Sequence, residues 1–359
     1  MGLLLFSCDF CYFNSVLAFS YVSMTYLDWL MSVLQQTLAD LQSVQKRVSI
    51  WYLVSAFVVA LGFIAWRYPG QFKQHLKRLF SPRVWWHKSA RIDYAIFFIN
   101  RYVMAFLSPR LLSSVLLTTW LYYQSQNWSP HLGDLISLPT GYVIALFTLC
   151  YFLLDDFSRF YLHRMLHKWP ALWAFHRVHH SAKVLTPITV FRTHPVEGML
   201  FFLRSSLIQA ICIAGFVSLF PGQVSLYTVW GVSIFTFVFN VLGANLRHSH
   251  VTLSYGRGEK WWISPAQHQR HHSSAVEDYD CNFGVVLALW DRIFGSWKQA
   301  DWQQDLVFGT NTSFDDKGLL AMYVEPFRYA FESMKRHLLA KMPVVIMILV
   351  STTSLFYAT

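Results

Sequence analysis

Long apolar runs separated by short polar segments form the main pattern of this chain. Runs close to the length that crosses a bilayer, about 20 residues, occupy residues 50–66, 111–123, 142–161, 199–220, 224–246 and 344–357. The second run reaches that length only together with residues 94–107, and Pro109 between them predicts a break into two shorter helices. The pattern predicts an all-α, multi-span helical membrane protein.

A turn signal joins two of these runs. Pro221, Gly222 and Gln223 alone separate residues 199–220 from residues 224–246, which predicts an antiparallel hairpin that crosses out and back. The polar segments before and after it, residues 162–198 and 247–298, must then lie on one face. We therefore expect their side chains to be close enough to build one site.

Composition supports a membrane protein and argues against a nucleic-acid-binding one. Hydrophobic residues make up 55% of the chain and charged residues 13%, with 18% aromatic residues, and the mean hydropathy is +0.35. The net charge of +10 comes from Lys and Arg clusters beside the apolar runs, as in cytoplasmic loops and headgroup contacts. Five cysteines without a spaced framework predict no structural disulfide.

The strongest basic block, residues 67–91, predicts which side of the membrane is cytoplasmic. It holds seven Lys or Arg residues: Arg67, Lys73, Lys77, Arg78, Arg83, Lys88 and Arg91. The positive-inside rule makes its side cytoplasmic. If residues 94–123 and 142–161 form a second hairpin, the face that holds residues 162–198 and 247–298 is cytoplasmic as well.

Histidines are concentrated in those two polar segments. Eleven of the 15 histidines lie between residues 163 and 272, as H-x-x-x-H at 163–167 and H-x-x-H-H at 176–180 and 268–272, with His194 and the pair His248 and His250 between them. Helical residues four apart share a face. In H-x-x-H-H we expect the first two histidines to share a face and the third to serve a neighbouring ion. A single ion cannot use so many imidazoles, so two ions are predicted.

The type of donor atom restricts which metals could bind but does not identify one. Imidazole suits iron, copper, zinc and nickel, and the Glu-x-x-His pattern of soluble di-iron bundles is missing. Iron is the metal most consistent with an oxygen-dependent attack on an unactivated C–H bond, while ligand type alone leaves zinc and copper open. Between His248 and His250, which cannot share a helical face, we favour His248. His194 precedes Pro195 at a predicted helix entry.

Two other classes remain as alternatives. A zinc-dependent membrane hydrolase often carries H-E-x-x-H, whereas Arg164 follows His163. A non-catalytic metal-binding membrane protein such as a transporter would need ionisable residues at mid-membrane depth, and residues 199–246 are poor in them beyond Arg204.

The histidine motifs with their flanking residues resemble the fatty acid hydroxylase and sterol desaturase superfamily. The matching stretches are HRMLH (163–167), HRVHHS (176–181), RTHPVE (192–197), NLRHSH (245–250), ISPAQHQRHHS (263–273), DYDCNFG (278–284) and WDRIFGSW (290–297). The resemblance covers about residues 140–298. It predicts three parts: N-terminal membrane helices and basic loop (1–139), a catalytic segment (140–298), and a C-terminal polar segment with an apolar helix (299–359).

The resemblance implies a helical membrane base with a cytosolic histidine cap, two iron ions, dioxygen as co-substrate and a lipid that is hydroxylated or desaturated. Because no haem or flavin fingerprint is visible, electrons would come from a separate protein such as a cytochrome b5-like protein or a ferredoxin with its reductase. Metal ligation is carried over to His163, His167, His176, His179, His180, His194, His248, His268, His271 and His272.

Four polar residues near the motifs carry further expectations. Asp155 and Asp156 precede the first motif, where we expect hydrogen bonds to ligating imidazoles. Asn282 and Asp291 match the last motif of the family. For these two residues we expect a structural role as much as a catalytic one. His250 stands where the family often has Asn.

Overall fold

The computed structural model describes residues 25–43, 46–224, 237–300 and 305–356, and within this part the regular secondary structure is helical apart from two isolated bridges, Trp262–Leu287 and Ser273–Phe308. The α-helices are α1 (Tyr26–Asp40), α2 (Ile50–Arg67), α3 (Phe72–Leu79), α4 (Pro82–Trp85), α5 (Lys88–Leu107), α6 (Ser114–Trp128), α7 (Thr140–Lys168), α8 (Pro170–His180), α9 (Pro195–Leu219), α10 (Pro265–His271), α11 (Leu289–Ile293) and α12 (Leu319–Phe356). The predicted all-α class is confirmed.

Four stretches are long and apolar enough to cross a membrane: Ile50–Arg67, Lys88–Trp128, Thr140–Lys168 and Pro195–Leu219. The second contains the predicted break, because α5 ends at Leu107 and a 3₁₀ turn, Ser108–Arg110, precedes α6. Large apolar side chains such as Trp120 and Leu149 stay exposed on these helices, as expected of surfaces that face lipid. The chain is an integral membrane protein.

The two hairpins bring the ends of the spans together. Ser125 Oγ of α6 lies 2.6 Å from Ser218 Oγ of α9, so these helices end side by side. The loop after α6 lies on the Pro221 turn, since a Cβ on Gly133 would be 2.6 Å from Pro221 Cγ. The next helix, α7, returns from that loop and carries His163 and His167 at its far end. The chain thus runs away from the histidines through α5 and α6, which hold residues 94–123, and returns through α7, with α6 and α7 both packed on α9.

The return arm of the Pro221 hairpin is described only in part. Gly222 takes a positive φ of 75° in the turn, a conformation that glycine adopts without a Cβ penalty. Residues 225–236 of the predicted arm lie outside the described residues. The polar segments on its two sides meet, with His179 Nε2 3.1 Å from His248 Nε2. The predicted common face is confirmed.

The basic block lies on this same face. Lys88 Nζ donates to Asp316 O at 3.2 Å, and the backbone N–H of Lys183 donates to Ser89 Oγ at 3.1 Å, which joins the start of α5 to the segment after α8. Helix α12 covers α8, and Arg177 lies between the rings of Phe314 and Tyr329. The predicted C-terminal apolar helix continues α12 to Phe356, and Tyr357 lies outside the described residues.

Local sequence signals explain the helix starts that position the histidines. Ser264 caps α10 by accepting from the N–H of Gln267 at 3.1 Å, and Gln267 Oε1 accepts in return from the N–H of Ser264 at 3.0 Å. This reciprocal box satisfies N–H groups that the first turn leaves free. Proline occupies the first position of α8, α9 and α10, where its fixed φ favours the helix and no hydrogen bond is lost.

Candidate metal centre

Nine histidines converge in two neighbouring groups at the end of the membrane helices. Group one comprises His163, His167, His176, His180 and His271, and group two comprises His179, His248, His268 and His272. Within each group one nitrogen of every ring lies within 4.8 Å of the corresponding nitrogens of the others. The groups touch where the rings of His180 and His272 stack with centroids 4.4 Å apart. The arrangement fits two ions side by side.

Each of the two H-x-x-H-H motifs contributes histidines to both groups, but the histidines are divided differently from the prediction. His176 and His180 join group one, and the middle residue, His179, joins group two. At 268–272 the first and last histidines join group two and the middle one joins group one. The expectation that the first two share a face was wrong. On a helix of about 100° per residue, the fourth residue along returns to within about 40° of the first and the third lies about 60° to the other side.

Nitrogen separations in group two match those of ligands around one ion. The Nε2 of His248 lies 3.1 Å from that of His179, 3.2 Å from that of His272 and 3.0 Å from that of His268. A single N–H cannot serve three such contacts. Two nitrogens that each lie about 2.0–2.1 Å from a metal, at right angles, are about 3 Å apart. The residues present therefore fit a metal ion.

In group one, ring nitrogens that lack hydrogen-bond partners also indicate a metal site. The Nε2 atoms of His163 and His176 are 3.2 Å apart. The Nε2 atoms of His167, His180 and His271 are buried and have no hydrogen-bond partner in the part of the chain that the structure describes. Buried polar atoms are rarely left unsatisfied, and here they point to one common position.

The opposite ring nitrogens of four of these histidines are held by hydrogen bonds. The Nδ1–H groups donate as follows: His163 to Phe283 O at 2.8 Å, His176 to Glu197 Oε1 at 3.0 Å, His179 to Arg192 O at 3.2 Å and His271 to Cys281 O at 2.7 Å. A donor hydrogen bond at Nδ1 fixes the tautomer that leaves the Nε2 lone pair free for a metal.

Burial keeps the cap imidazoles neutral, which ligation requires. Desolvation lowers the pKa of His179 to about 3. Desolvation first, and the charge of neighbouring histidines second, lower the pKa well below the ordinary value for His176, His180, His248, His268 and His272, and the same holds for His271. These rings are available as ligands at neutral pH.

Asp291 supports the loop that orients group one. Its carboxylate accepts from the N–H of Phe283 at 2.8 Å, the N–H of Gly284 at 2.7 Å and Ser296 Oγ at 2.5 Å. The carbonyl of Phe283 in turn accepts from His163. Burial raises the pKa of Asp291 to about 6. Asp291 thus fixes the backbone on which a ligand rests, and this is a structural role.

Asp156 and Asn282 act on the same loop. Asp156 accepts from the N–H groups of Val286 and Leu287 and from Trp290 Nε1, at 2.9, 3.0 and 3.0 Å. Asn282 Oδ1 accepts from the backbone N–H of Lys298 at 2.8 Å. The loop between α10 and α11 is therefore fastened to α7.

The expected hydrogen bonds from Asp155 and Asp156 to ligating imidazoles were wrong. Asp155 instead pairs with Arg159 and Arg204, each at 2.8 Å. The two residues precede His163 by two turns of α7, so their side chains meet α9 and the loop after α10 rather than the metal groups.

His194 and His250 lie outside both groups. The Nδ1 of His194 accepts from the N–H of Val196 at 3.1 Å and its Nε2–H donates to Tyr323 O at 3.1 Å. Both nitrogens are thus engaged in capping α9 and joining it to α12, and the predicted ligand role of His194 has no support in this geometry. Elsewhere, His75 stacks on Tyr68 with centroids 4.1 Å apart and His131 is exposed beside Asp134.

Sequence reasoning missed two buried groups behind the ligands. Glu197 receives the Nδ1–H of His176. Arg192, whose carbonyl orients His179, is fully buried and pairs with Asp93 at 2.7 Å. Glu197 could have been found as an acidic residue at the start of a helix within a histidine motif, whereas nothing local relates Asp93 to a residue 99 positions away.

Comparisons with known proteins show which family this segment of the chain is similar to. The model of the fatty acid hydroxylase family matches residues 148–296. An ornithine lipid hydroxylase of Rhizobium tropici is 25% identical over 58% of this chain and 55% of its own length. A Delta(7)-sterol 5(6)-desaturase of Eremothecium gossypii is 31% identical over 52% of this chain and 48% of its own.

Human alkylglycerol monooxygenase is 27% identical over 61% of this chain and 43% of its own length. The chain thus spans about half the length of these relatives. No solved structure matches it. The division of the chain into three parts stays a prediction.

Proposed function

We propose that this chain is a membrane-bound oxidoreductase that uses two iron ions and dioxygen to hydroxylate or desaturate a lipid. Its residues 148–296 match the fatty acid hydroxylase family, and its relatives include a lipid hydroxylase and a sterol desaturase. The observation that carries the proposal is the convergence of nine histidines, eight of them buried, in two adjoining groups at the end of apolar helices. Iron held by such donors would supply the oxygen activation that an unactivated C–H bond requires.

The residues of this chain would act by binding, orienting and shielding. The proposed ligands are His163, His167, His176, His180 and His271 for one ion and His179, His248, His268 and His272 for the other. Phe283 and Trp173 flank the rings of group one, with centroid distances of 5.0 Å each to His167. These aromatic walls exclude water, which limits side reactions at an oxidising centre.

A bilayer lipid is the substrate class that this location supports. Group one lies at the end of α7 and His176 bonds to the first turn of α9, and both helices cross the membrane. A lipid can therefore present its apolar part to the site from within the bilayer. The relatives are named for a sterol, an ornithine lipid and an alkylglycerol, so a lipid as a class is proposed rather than one compound.

We further propose that the metal centre faces the cytoplasm and that a separate protein delivers electrons. The basic block is on the face of the histidines, and the positive-inside rule makes that face cytoplasmic. A cytochrome b5-like protein or a ferredoxin with its reductase would be the partner.

The alternatives fit the geometry less well. A catalytic zinc site usually keeps about three protein ligands and an open position, whereas each group here offers at least four imidazoles. A metal transporter would need ionisable residues at mid-membrane depth, whereas residues 199–219 of α9 contain Arg204 as their one Lys, Arg, Asp, Glu or His.

Metal analysis joined to a lipid assay tests the proposal. Purified protein in nanodiscs should contain two irons per chain and consume dioxygen when reductant and lipid are present. Lipids of cells with the active protein should show mass shifts of one oxygen or two hydrogens that cells with His271→Ala lack. Zinc alone, in a protein active without oxygen, would instead establish the hydrolase.

A further inference from the structure

The charges around the two histidine groups are unequal. Glu197 is buried, with its side chain 4% exposed, and its Oε1 accepts from His176 Nδ1–H in group one at 3.0 Å. A second carboxylate, on Asp280, lies 3.7 Å from the Nδ1 of His167 at the edge of the same group. Asp280 is partly exposed and pairs more closely with Lys168, at 2.6 Å, so Glu197 is the buried carboxylate that acts on group one.

Group two has no such carboxylate, and the residue that precedes its His248 is a buried arginine. Arg247 immediately precedes His248, is buried, and donates from Nη2 to Ile263 O at 3.1 Å and to Val285 O. Its guanidinium also lies over the ring of Phe239, 4.6 Å from the centroid. Within the described residues, no carboxylate is in ion-pair contact with a ring of group two.

Glu197 lacks the partners that a merely structural carboxylate would have. Its Oε2 is buried without a hydrogen-bond partner in the described part of the chain, and no Lys or Arg there pairs with it. A buried carboxylate is costly unless a positive charge or hydrogen bonds compensate it. A cation held by His176 would supply that compensation through the imidazole.

We infer that Glu197 is a positioning residue that makes the two centres unequal, so that group one holds its ion more tightly than group two. This inference rests on the proposed two-metal function. A carboxylate hydrogen-bonded to a ligating imidazole orients the ring and raises its basicity, and loss of such a partner typically weakens metal binding about 10–100-fold.

Release of iron to an excess of chelator, followed by absorbance, tests the inference on the full chain in nanodiscs. The wild-type protein should release its irons in two phases of similar amplitude. Glu197→Gln should accelerate the slow phase about 10–100-fold and leave the fast phase unchanged. Glu197→Asp, which keeps the charge, should restore part of the difference.

Asp155→Asn is the matched control, because Asp155 is a buried carboxylate that pairs with Arg159 and Arg204. It should change neither phase, and circular dichroism should show equal helix content in all four proteins. Mössbauer spectra should show two distinct iron environments in the wild type, of which Glu197→Gln alters one.

Two bound irons released in a single phase would overturn this inference and leave the proposed function standing. The inference also fails if Glu197→Gln accelerates both phases equally and Glu197→Asp restores neither of them. It fails as well if Glu197→Gln changes neither phase. A wild-type protein that binds no iron would refute the proposed function itself.

Discussion

The buried ion pair between Arg192 and Asp93 offers the sharpest test of how the histidine cap is held. Both side chains are 0% exposed, and Arg192 Nη1 lies 2.7 Å from Asp93 Oδ1. Arg192 also donates from Nε to Val178 O at 2.8 Å, and its own carbonyl accepts from His179. The pair thus links α5 to residues 178–192, the segment that carries the proposed ligand His179.

Asp93→Asn should destabilise the protein by roughly 3–5 kcal/mol, the usual consequence of removing one partner of a buried pair. The remaining Arg192 keeps its charge without a counter-charge, and Thr189 Oγ1 loses a charged acceptor that it reaches at 2.6 Å. A loss of that size shifts the unfolding equilibrium by more than about 100-fold. It should appear in reversible unfolding in mixed micelles, followed by circular dichroism.

The control is the same chemical change at an exposed pair. Glu332→Gln removes the partner of Arg328, at 2.9 Å, where the two side chains are 80% and 43% exposed, and it should leave stability unchanged because solvent screens both charges. If Asp93→Asn proved as mild as Glu332→Gln, the buried pair would not support the cap. The reasoning from its geometry would then be refuted.

Three further predictions concern the metal loop and the ligands. Gly284→Ala places a Cβ 2.7 Å from Asp291 Oδ2 and 2.8 Å from a backbone carbonyl, so it should cost about 1–3 kcal/mol and reduce iron content by mass spectrometry. Gly215→Ala, with open space around it, should do neither. His271→Ala should abolish activity and lower bound iron while membrane insertion stays intact; an active, metal-replete variant, or equal losses in exposed His131→Ala, would contradict the ligand assignment. Burial raises the pKa of Asp291 from 3.8 to about 6. Its contribution to stability is therefore present below about pH 4 and is lost as the pH rises to about 6. In urea titrations, the free energy of unfolding of the wild type relative to Asp291→Asn should fall over that interval.

Sequence alone determined the features that depend on local pattern. Apolar run length predicted the spans, and Pro109 predicted the break between α5 and α6. Pro221 and Gly222 predicted the turn that returns the chain to the histidine face. Each of these signals acts over a few residues, so it can be read without knowledge of distant contacts.

Tertiary structure decided how the histidines divide and what supports them. His179 and His271 each leave the group of their neighbours in the same motif, because the third and the fourth residue along a helix lie on opposite sides of the first. Which of the two groups each histidine joins depends on how α8 and α10 pack together. His194, which the motif pattern made a ligand, instead caps α9 and reaches Tyr323.

The supports behind the ligands come from remote parts of the chain. Asp93 reaches Arg192 across 99 positions, and Asp156 reaches the N–H of Val286 across 130. Such contacts form only when the whole chain packs, since a buried carboxylate is placed by whatever donors the packing leaves unpaired. The residue types that bind metal are visible in the sequence, whereas the positions of their partners are set by the fold.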